Sequence, residues 1–240
     1  MVSAMDSPGA RARTRFGSPR PSTPAAQPGE MFRIDPAAAP HEPPPRTGSD
    51  YAIRAFDIVA SASLLLALFA PMLCVAMLVR LTSRGPALYH QERVGRAGRR
   101  FWMIKFRTMR LDAESETGPV WAKRDDARCT PVGKLLRRYS IDELPQFWNV
   151  LRGEMSLVGP RPERPYFVRK FAQQLPGYMD RHRAPPGITG WAQINGCRGD
   201  TSVARRLELD LEYVRRRSLR LNLWILLATP WKVLVDRNAY

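Results

Sequence analysis

The sequence predicts a mixed α/β fold that is mostly helical, in which a proline-kinked apolar helix precedes a soluble domain with a short β-hairpin. Three observations carry this prediction: an uncharged run of 22 residues from Ile58 to Val79, two β-like runs around a glycine-flanked turn at residues 95–98, and helical spacing of apolar residues after residue 203. We expect a disordered leader at residues 1–50, the apolar helix within residues 51–84, and one domain of ordinary size at residues 85–240.

The leader and the charge balance narrow the function classes. Residues 1–50 contain 10 of the 22 prolines and no sustained hydrophobic period, which is typical of disorder and unlike a signal peptide. The net charge is +16, almost all of it after residue 79, so phosphates, nucleic acid or an anionic membrane surface are the expected partners. The three cysteines and three histidines lack ligand spacing, which argues against a disulfide framework and a zinc site.

The run from Ile58 to Val79 is a candidate membrane segment with charged residues on both sides. Pro71 lies near its middle and removes one backbone hydrogen bond, so we expect a kink there. Each half has about 11 residues and is about 16 Å long, which matches one leaflet of a bilayer. By composition alone, a re-entrant helix and a straight span with a tolerated proline are equally favoured, and both leave the basic part cytoplasmic. The length makes a buried helix of a soluble core the less favoured third interpretation.

The next two runs, Ala87 to Val94 and Arg99 to Met109, predict a hairpin. If the second run is extended, Lys105 and Arg107 project to the same face and stand side by side. On these grounds alone, an edge strand with solvated cations is favoured over a binding role.

An acidic pair follows a short helix predicted around residues 132–136. Ser140 and Glu143 have the spacing of a capping box, which would put Asp142 and Glu143 in the first turn of a second helix. Pro145 would also suit the first helical position, but the acids lie at a helix start in either frame. Capping is the simpler role; close to arginines, the pair could also supply a nucleophile or a metal ligand beside phosphate-binding cations.

Two rigid loops and a basic C-terminal region complete the pattern. Prolines on both sides of Arg161 restrict its backbone, and the glycine-rich stretch at residues 185–200 could cradle a phosphate beside Arg198. Residues 203–220 predict a helix whose arginines mostly face solvent or lipid headgroups. The closing run at residues 221–235, with Pro230 and two tryptophans, is typical of an interfacial helix, and a core-docking helix is nearly as well supported.

Several of these segments, taken together and in order, resemble the bacterial sugar transferases, the monotopic phosphoglycosyl transferases that move a sugar phosphate from a nucleotide sugar to a polyprenyl phosphate. The matching motifs begin at residues 56, 91, 105, 142, 157 and 186 and read Phe-Asp-Ile-Val, Gln-Glu-Arg-Val-Gly, Lys-Phe-Arg-Thr-Met, Asp-Glu-Leu-Pro-Gln, Leu-Val-Gly-Pro-Arg-Pro-Glu and Pro-Gly-Ile-Thr-Gly-Trp-Ala-Gln. The chain is similar to the short form of the family, without additional N-terminal membrane helices.

The resemblance implies roles for individual residues. Asp142 would be the nucleophile, forming an acyl phosphate with the sugar phosphate, and Glu143 its partner in a catalytic dyad. Mg²⁺ would bind at Asp142 and bridge it to the diphosphate of the donor. The cations that orient the dyad and bind phosphate or nucleotide groups would be Lys105, Arg137, Arg161 and Arg198. Pro71 would kink a re-entrant membrane helix, although Ala70 stands where many relatives place a serine.

The implied function is transfer of hexose 1-phosphate from a UDP-sugar to undecaprenyl phosphate at the bacterial inner membrane, with release of UMP, as a first step of exopolysaccharide or related glycan synthesis. The expected partners are the donor, the lipid acceptor and the membrane, and no nucleic acid is expected. A second copy of the chain is a further candidate partner. A membrane-tethered basic module that binds anionic lipid or nucleic acid without chemistry is the alternative, and a scaffold subunit of an export complex is a third.

Overall fold

A computed structural model describes residues 47–114, 118, 120, 126–197, 199 and 201–235. The leader predicted at residues 1–50 therefore lies almost wholly outside the described residues, as does Arg198. Within them the chain is mostly helical with two small two-stranded sheets, which agrees with the predicted class.

The order of elements alternates helices with short strands. The helices are α1 (Gly48–Ala67), α2 (Phe69–Thr82), α3 (Pro131–Arg138), α4 (Gln146–Arg152), α5 (Pro165–Gln174), α6 (Trp191–Ile194), α7 (Val203–Arg216) and α8 (Leu219–Val235). The strands are β1 (Leu88–Val94), β2 (Arg100–Phe106), β3 (Ser156–Val158) and β4 (Gly187–Thr189). Short 3₁₀ turns cover Arg96–Gly98, Ile141–Glu143 and Tyr178–Arg183.

The apolar run folds as two helices that meet at a bend of 62°. Pro71 lies in the first turn of α2 and has no N–H to donate to the carbonyl of Ala67, so the helix breaks at Leu68, three residues before the proline. The kink predicted near Pro71 is therefore confirmed. α1 begins earlier than expected, because Thr47 and Asp50 form a capping box that starts the helix at Gly48.

No single helix among the described residues has both the length and the apolar composition needed to cross a bilayer. α1 and α2 meet these requirements only as a bent pair.

The predicted hairpin is confirmed, with β1 and β2 antiparallel from the pair Leu88 and Phe106 to the pair Val94 and Arg100. The favoured interpretation of Arg107 as a solvated cation on an edge strand is wrong, because this residue is 5% exposed. The Arg107 guanidinium instead donates to the backbone carbonyls of Ser83, at 2.9 Å, and of Arg84. Since helix ends leave carbonyls without partners, this arginine ties the end of α2 to the hairpin.

The second sheet depends on glycines for its close packing. β3 and β4 are parallel, with Ser156 opposite Gly187. A Cβ at Gly187 would lie 2.0 Å from the amide nitrogen of Gly159, and one at Gly190 would lie 2.2 Å from the carbonyl oxygen of Gly159. The amide of Gly187 donates to Pro160 at 3.0 Å. Gly187 and Gly190 thus allow backbone segments to touch, and the amide of Gly187 is not available to cradle a phosphate as the sequence suggested.

The last helix, α8, has features of both the core-docking helix and the interfacial helix considered for its sequence. Ile225 of α8 is fully buried in the main core, whereas Leu227 is 81% exposed and Trp231 68% exposed, so the helix docks on one side and presents apolar side chains on the other. In the basic region, Arg206 is buried against Glu163 at 2.9 Å, and Arg217 pairs with Asp50 of α1. These two arginines therefore hold the fold together and do not face headgroups.

Candidate active site

The acidic pair lies in the 3₁₀ turn between α3 and α4. The predicted capping box is wrong, because Ser140 has a left-handed backbone with φ 55° and its hydroxyl caps nothing. An N-cap residue needs an extended backbone, whereas Ser140 closes the turn that ends α3. The turn places Asp142 and Glu143 on the side of the Lys105 ammonium, while Ile141 and Leu144 pack on an apolar cluster around Phe106.

Asn149 fixes this turn against the hairpin. Its side-chain oxygen accepts from the amide of Ile104 at 3.0 Å, and its side-chain nitrogen donates to the carbonyl of Trp102 at 2.8 Å. The side chain is fully buried. Because α4 follows the acidic turn directly, these two bonds hold the acids beside Lys105 on β2.

Glu143 is completely engaged by cations. Lys105 Nζ lies 2.9 Å from its Oε1, and the Arg161 guanidinium donates to both carboxylate oxygens, with Nη1 at 3.3 Å from Oε2. Burial by itself would raise the pKa of Glu143, but the charges and hydrogen bonds of Arg161 and Lys105 outweigh it and hold the pKa well below its usual range. Glu143 is therefore an ionised anchor for two cations.

Asp142 is the contrasting member of the pair. It is 7% exposed, its nearest cation is Lys105 with Nζ at 4.0 Å from Oδ2, and no described residue donates a hydrogen bond to its carboxylate. Burial raises its pKa to about 6, and the charge of Glu143 adds to the shift, while Lys105, Arg137 and Arg161 oppose it. At neutral pH the carboxylate is mostly ionised, and its lone pairs are not committed to hydrogen bonds from described residues.

A cavity of about 390 Å³ opens over the acidic pair. Three of the four predicted cations line it: Lys105, Arg137 and Arg161. Arg137 also donates to Cys129 Sγ at 3.2 Å. Arg198, the fourth, falls outside the described residues. The sequence interpretation missed further cations on the cavity wall, among them Arg93, Arg110, Arg128 and Arg164.

A sequence signal for one missed cation did exist. In the antiparallel register Tyr89 lies opposite Lys105 and Gln91 opposite Met103, so Tyr89, Gln91 and Arg93 share the face of β1 that borders the cavity. The two-residue period of the first run could have placed Arg93 there. Arg164, bonded to Glu114 at 2.7 Å and 3.0 Å, gave no comparable signal because its position depends on a loop.

The loop that carries Arg161 is held by arginines of other elements as well as by its prolines. Arg181 donates to the Arg161 carbonyl at 2.8 Å, and Arg93 donates to the Pro162 carbonyl at 2.9 Å. Arg206 binds the Glu163 carboxylate, which follows in the same loop, at 2.9 Å. The rigidity expected from the sequence is present, and three distant elements contribute to it.

The donor set for a metal ion is small. The described residues contain no group of three or more histidine, cysteine or acidic side chains that could hold a metal. Of the acids that the structure describes on the cavity wall, Asp142 alone is uncommitted, since Glu114, Glu143 and Glu163 are each bonded to a cation. Mg²⁺ commonly binds through one or two carboxylates together with substrate phosphates and water, so Asp142 fits such an ion only as part of a complex with a phosphate ligand.

An uncommitted carboxylate beside a fully paired one, in a cavity rich in cations, fits nucleophilic attack on a phosphate group. The comparisons with known proteins agree with this class. Residues 49–236 match the family model for bacterial sugar transferases, and the chain belongs to that family.

Three curated relatives illustrate the similarity. The chain is 45% identical over 208 residues to a UDP-glucose:undecaprenyl-phosphate glucose-1-phosphate transferase of Caulobacter vibrioides, a match that covers 84% of this chain and 76% of the relative. It is 46% identical over 192 residues to a protein of the same name from Escherichia coli, covering 78% of this chain and 41% of the relative. It is 45% identical over 189 residues to a UDP-N-acetylgalactosamine-undecaprenyl-phosphate N-acetylgalactosaminephosphotransferase of Aeromonas hydrophila, covering 78% and 44%. The chain thus spans less than half the length of two of these relatives.

Proposed function

We propose that this chain transfers a hexose 1-phosphate from a UDP-sugar to undecaprenyl phosphate and releases UMP. The observation that carries the proposal is the state of Asp142: a buried carboxylate that lines a cationic cavity and receives no hydrogen bond from the described residues. The names of the relatives supply the substrate class, because all three describe transfer of a sugar phosphate to undecaprenyl phosphate.

In the first step an Asp142 oxygen attacks the sugar-bearing phosphorus of the donor. A bond forms between this oxygen and phosphorus, the bond from phosphorus to the UMP oxygen breaks, and UMP leaves with the electron pair. The product on the protein is an acyl phosphate that carries the sugar. In the second step an oxygen of undecaprenyl phosphate attacks the same phosphorus and displaces the Asp142 carboxylate.

The cations stabilise the negative charge of the phosphate group that is transferred. Lys105 and Arg161 keep Glu143 ionised and fixed, and they hold positive charge close to the phosphorus during both displacements. Arg137 lies on the same cavity wall. The unequal pKa values of the two acids also assign their roles, because the nucleophile needs uncommitted lone pairs and the anchor does not.

We include Mg²⁺ in the proposal, held by Asp142 together with the phosphates of the donor. A bound Mg²⁺ would reduce the repulsion between the carboxylate and the diphosphate. The support is the uncommitted Asp142 carboxylate described above, and chelation followed by re-addition of Mg²⁺ is the direct test.

We also propose that α1 and α2 form a re-entrant membrane element and that the protein acts on the cytoplasmic face of the bacterial inner membrane. Support comes from the bend of 62° and from the exposed apolar side chains of α2 and α8. A donor in water and an acceptor phosphate at headgroup level can meet at such a site. A role in exopolysaccharide or related glycan synthesis, assembly with a second copy and the absence of nucleic-acid binding belong to the same proposal.

The test compares the native protein with Asp142→Asn in membranes supplied with radiolabelled UDP-glucose, a donor named for two of the relatives above. We expect UMP release and labelled lipid from the native protein, and a loss of at least about 10⁴-fold in the variant. Glu208→Gln removes the same charge from an exposed position on α7 and serves as the matched control, with native turnover expected.

Donor supplied without lipid phosphate should label Asp142 itself, as read by peptide mapping. Because the sugars of the relatives differ, a panel of UDP-sugars is offered before any negative result is accepted. Normal turnover by Asp142→Asn, or no adduct with any donor, would contradict the proposal. Vesicle or nucleic-acid binding without labelled lipid would favour the alternative of a non-enzymatic basic module.

A further inference from the structure

A row of polar side chains runs along one side of α1 and faces the rest of the protein. Its members are Asp50, Arg54 and Asp57, spaced four and three residues apart, which places them on one helix face. We call these three residues the polar row. In the sequence they precede the apolar run, and in the structure each one is bonded to another part of the chain.

The partners of the polar row lie on three different elements. Asp50 pairs with Arg217, which follows α7. Arg54 donates to the carbonyls of Val150 at 2.5 Å and Leu151 at 2.7 Å, at the end of α4. Asp57 accepts from the Ser156 hydroxyl at 2.7 Å and from the Leu157 amide at 3.1 Å, at the start of β3.

Asp57 is the most deeply placed member. It is 3% exposed, its hydroxyl donor Ser156 is 1% exposed, and the bonds span about a hundred residues of sequence. A carboxylate buried to this extent requires its hydrogen bonds, because an unpaired buried charge is strongly unfavourable. The contact therefore fixes the position of β3 relative to α1.

β3 leads directly to the site. Gly159 and Pro160 follow its last residue, and Arg161 comes next, with its guanidinium on Glu143. Arg161 is thus four residues from the Leu157 amide that Asp57 accepts. A shift of β3 along or across α1 would move Arg161 against the acidic pair, and displacements of about 1 Å at such positions can change rates by about 10²-fold.

We propose that Asp57 is a positioning residue for Arg161, acting through Ser156 and Leu157, so that the membrane-associated helix sets the geometry of the catalytic cations. This inference rests on the proposed function. It assigns no contact between Asp57 and substrate. We expect the effect on turnover to exceed that on donor binding, because Arg161 moves with β3 whereas Lys105 on β2 and Arg137 on α3 stay in place.

The experiment measures kcat and KM for UDP-glucose, or for the preferred donor of the panel, on the full chain in membranes. Asp57→Leu removes both acceptor atoms at similar size, Asp57→Asn keeps one carbonyl oxygen, and Ser156→Ala removes one donor. Asp50→Asn is the matched control, because its partner Arg217 reaches β3 indirectly, through Tyr213, whereas Asp57 is bonded to β3 directly. Each variant is made in the native background and in Arg161→Gln.

We expect kcat to fall about 10-fold in Asp57→Leu with KM within about 2-fold, and Asp57→Asn to recover most of the loss. Asp50→Asn should keep the native kcat. In the Arg161→Gln background, Asp57→Leu should lower kcat by less than about 2-fold, because the guanidinium that Asp57 positions is absent. If Asp57→Leu does not fold, Ser156→Ala takes its place in the cycle.

Three results would overturn the inference: additive losses in the Arg161→Gln background, an equal loss in Asp50→Asn, or native kcat in both Asp57→Leu and Ser156→Ala. Each of these is read against an active native protein. An inactive native protein would instead contradict the proposed function, so the two failures are distinguishable.

Discussion

Two clusters of buried charge lie close together in this protein and differ in one respect. In the first, Arg181 binds Asp210 at 2.6 Å and Arg206 binds Glu163 at 2.9 Å, so every carboxylate has a bonded guanidinium. In the second, which contains the acidic pair, Lys105 and Arg161 both bind Glu143 and leave Asp142 without a donor among the described residues. Burial and ion pairing are common to the two clusters, and only the second contains an uncommitted carboxylate.

The difference shows what marks a reactive site in a basic protein. Where each buried acid is bonded to its own arginine, the pairs hold loops in place, as Arg181 and Arg206 do for the loop of Arg161. Burial raises the pKa of the paired Asp210 as well as that of Asp142, so the mark of the nucleophile is its uncommitted lone pairs.

Neutralising the paired acid should destabilise the fold. Asp210→Asn leaves the Arg181 guanidinium buried without its counter-charge, and the loss of one partner of such a pair costs about 3–5 kcal/mol. We expect this decrease in the free energy of unfolding, measured by denaturant titration in detergent. A free energy of unfolding within about 0.5 kcal/mol of the native value would mean that the Arg181–Asp210 pair contributes no more than an exposed ion pair. The proposed difference between the two clusters would then be contradicted.

Removing the Arg161 guanidinium should lower turnover more than stability. In Arg161→Gln the Glu143 carboxylate keeps only Lys105, and we expect kcat to fall about 10²- to 10³-fold. The melting temperature should change by less than about 2 °C, because Arg161 is partly exposed. Arg205→Gln, on an exposed face of α7, is the control and should leave both values unchanged.

The decrease of activity at low pH should follow the protonation of Asp142. Its pKa is raised by burial to about 6, and only the ionised form can attack, so kcat/KM should decrease about tenfold per pH unit below about 6. The pKa of Glu143 is lowered by Arg161 and Lys105, so that residue stays ionised across this range. The rate of UMP release between pH 5 and 8 provides the measurement, and a flat profile would contradict the assignment.

Neutralising Asp142 should change the stability of the fold only slightly, and in the direction opposite to Asp210→Asn. The folded-state pKa of Asp142 is higher than its unfolded value, so at pH 7.5 the charged form is less stable in the folded protein. Asp142→Asn should therefore melt about 1–3 °C above the native protein at pH 7.5. The gain should shrink as the pH falls through about 6, where the native carboxyl becomes neutral as well.

Much of the fold could be predicted because its signals are local. Pro71 predicted the bend, the run around Lys105 predicted a strand, and apolar spacing around Leu136 predicted a helix. The acidic pair could be selected for the same reason, since adjacent acids near arginines stand out in a linear sequence. What local pattern could not supply was the backbone of Ser140, whose left-handed conformation depends on how α3 ends.

Long-range pairing accounts for the remaining errors. Arg107, Arg206 and Arg217 looked like surface or binding cations because their charges are visible in the sequence and their partners are not. The acceptors named above for these arginines lie 23 to 167 residues away in the sequence. The hydrophobic period and the composition of a segment do not indicate partners so far away in the sequence. They therefore do not distinguish a cation that holds the fold together from one that binds substrate.

The polar row on α1 also limits how the protein can be handled. A truncated version that begins after residue 84, made to avoid detergent, would leave the carbonyls of Val150 and Leu151 and the amide of Leu157 without their partners on α1. The hydropathy boundary near residue 84 therefore does not coincide with a boundary of cooperative folding. A water-soluble version has to retain the first three turns of α1 and replace only the apolar side chains beyond Asp57.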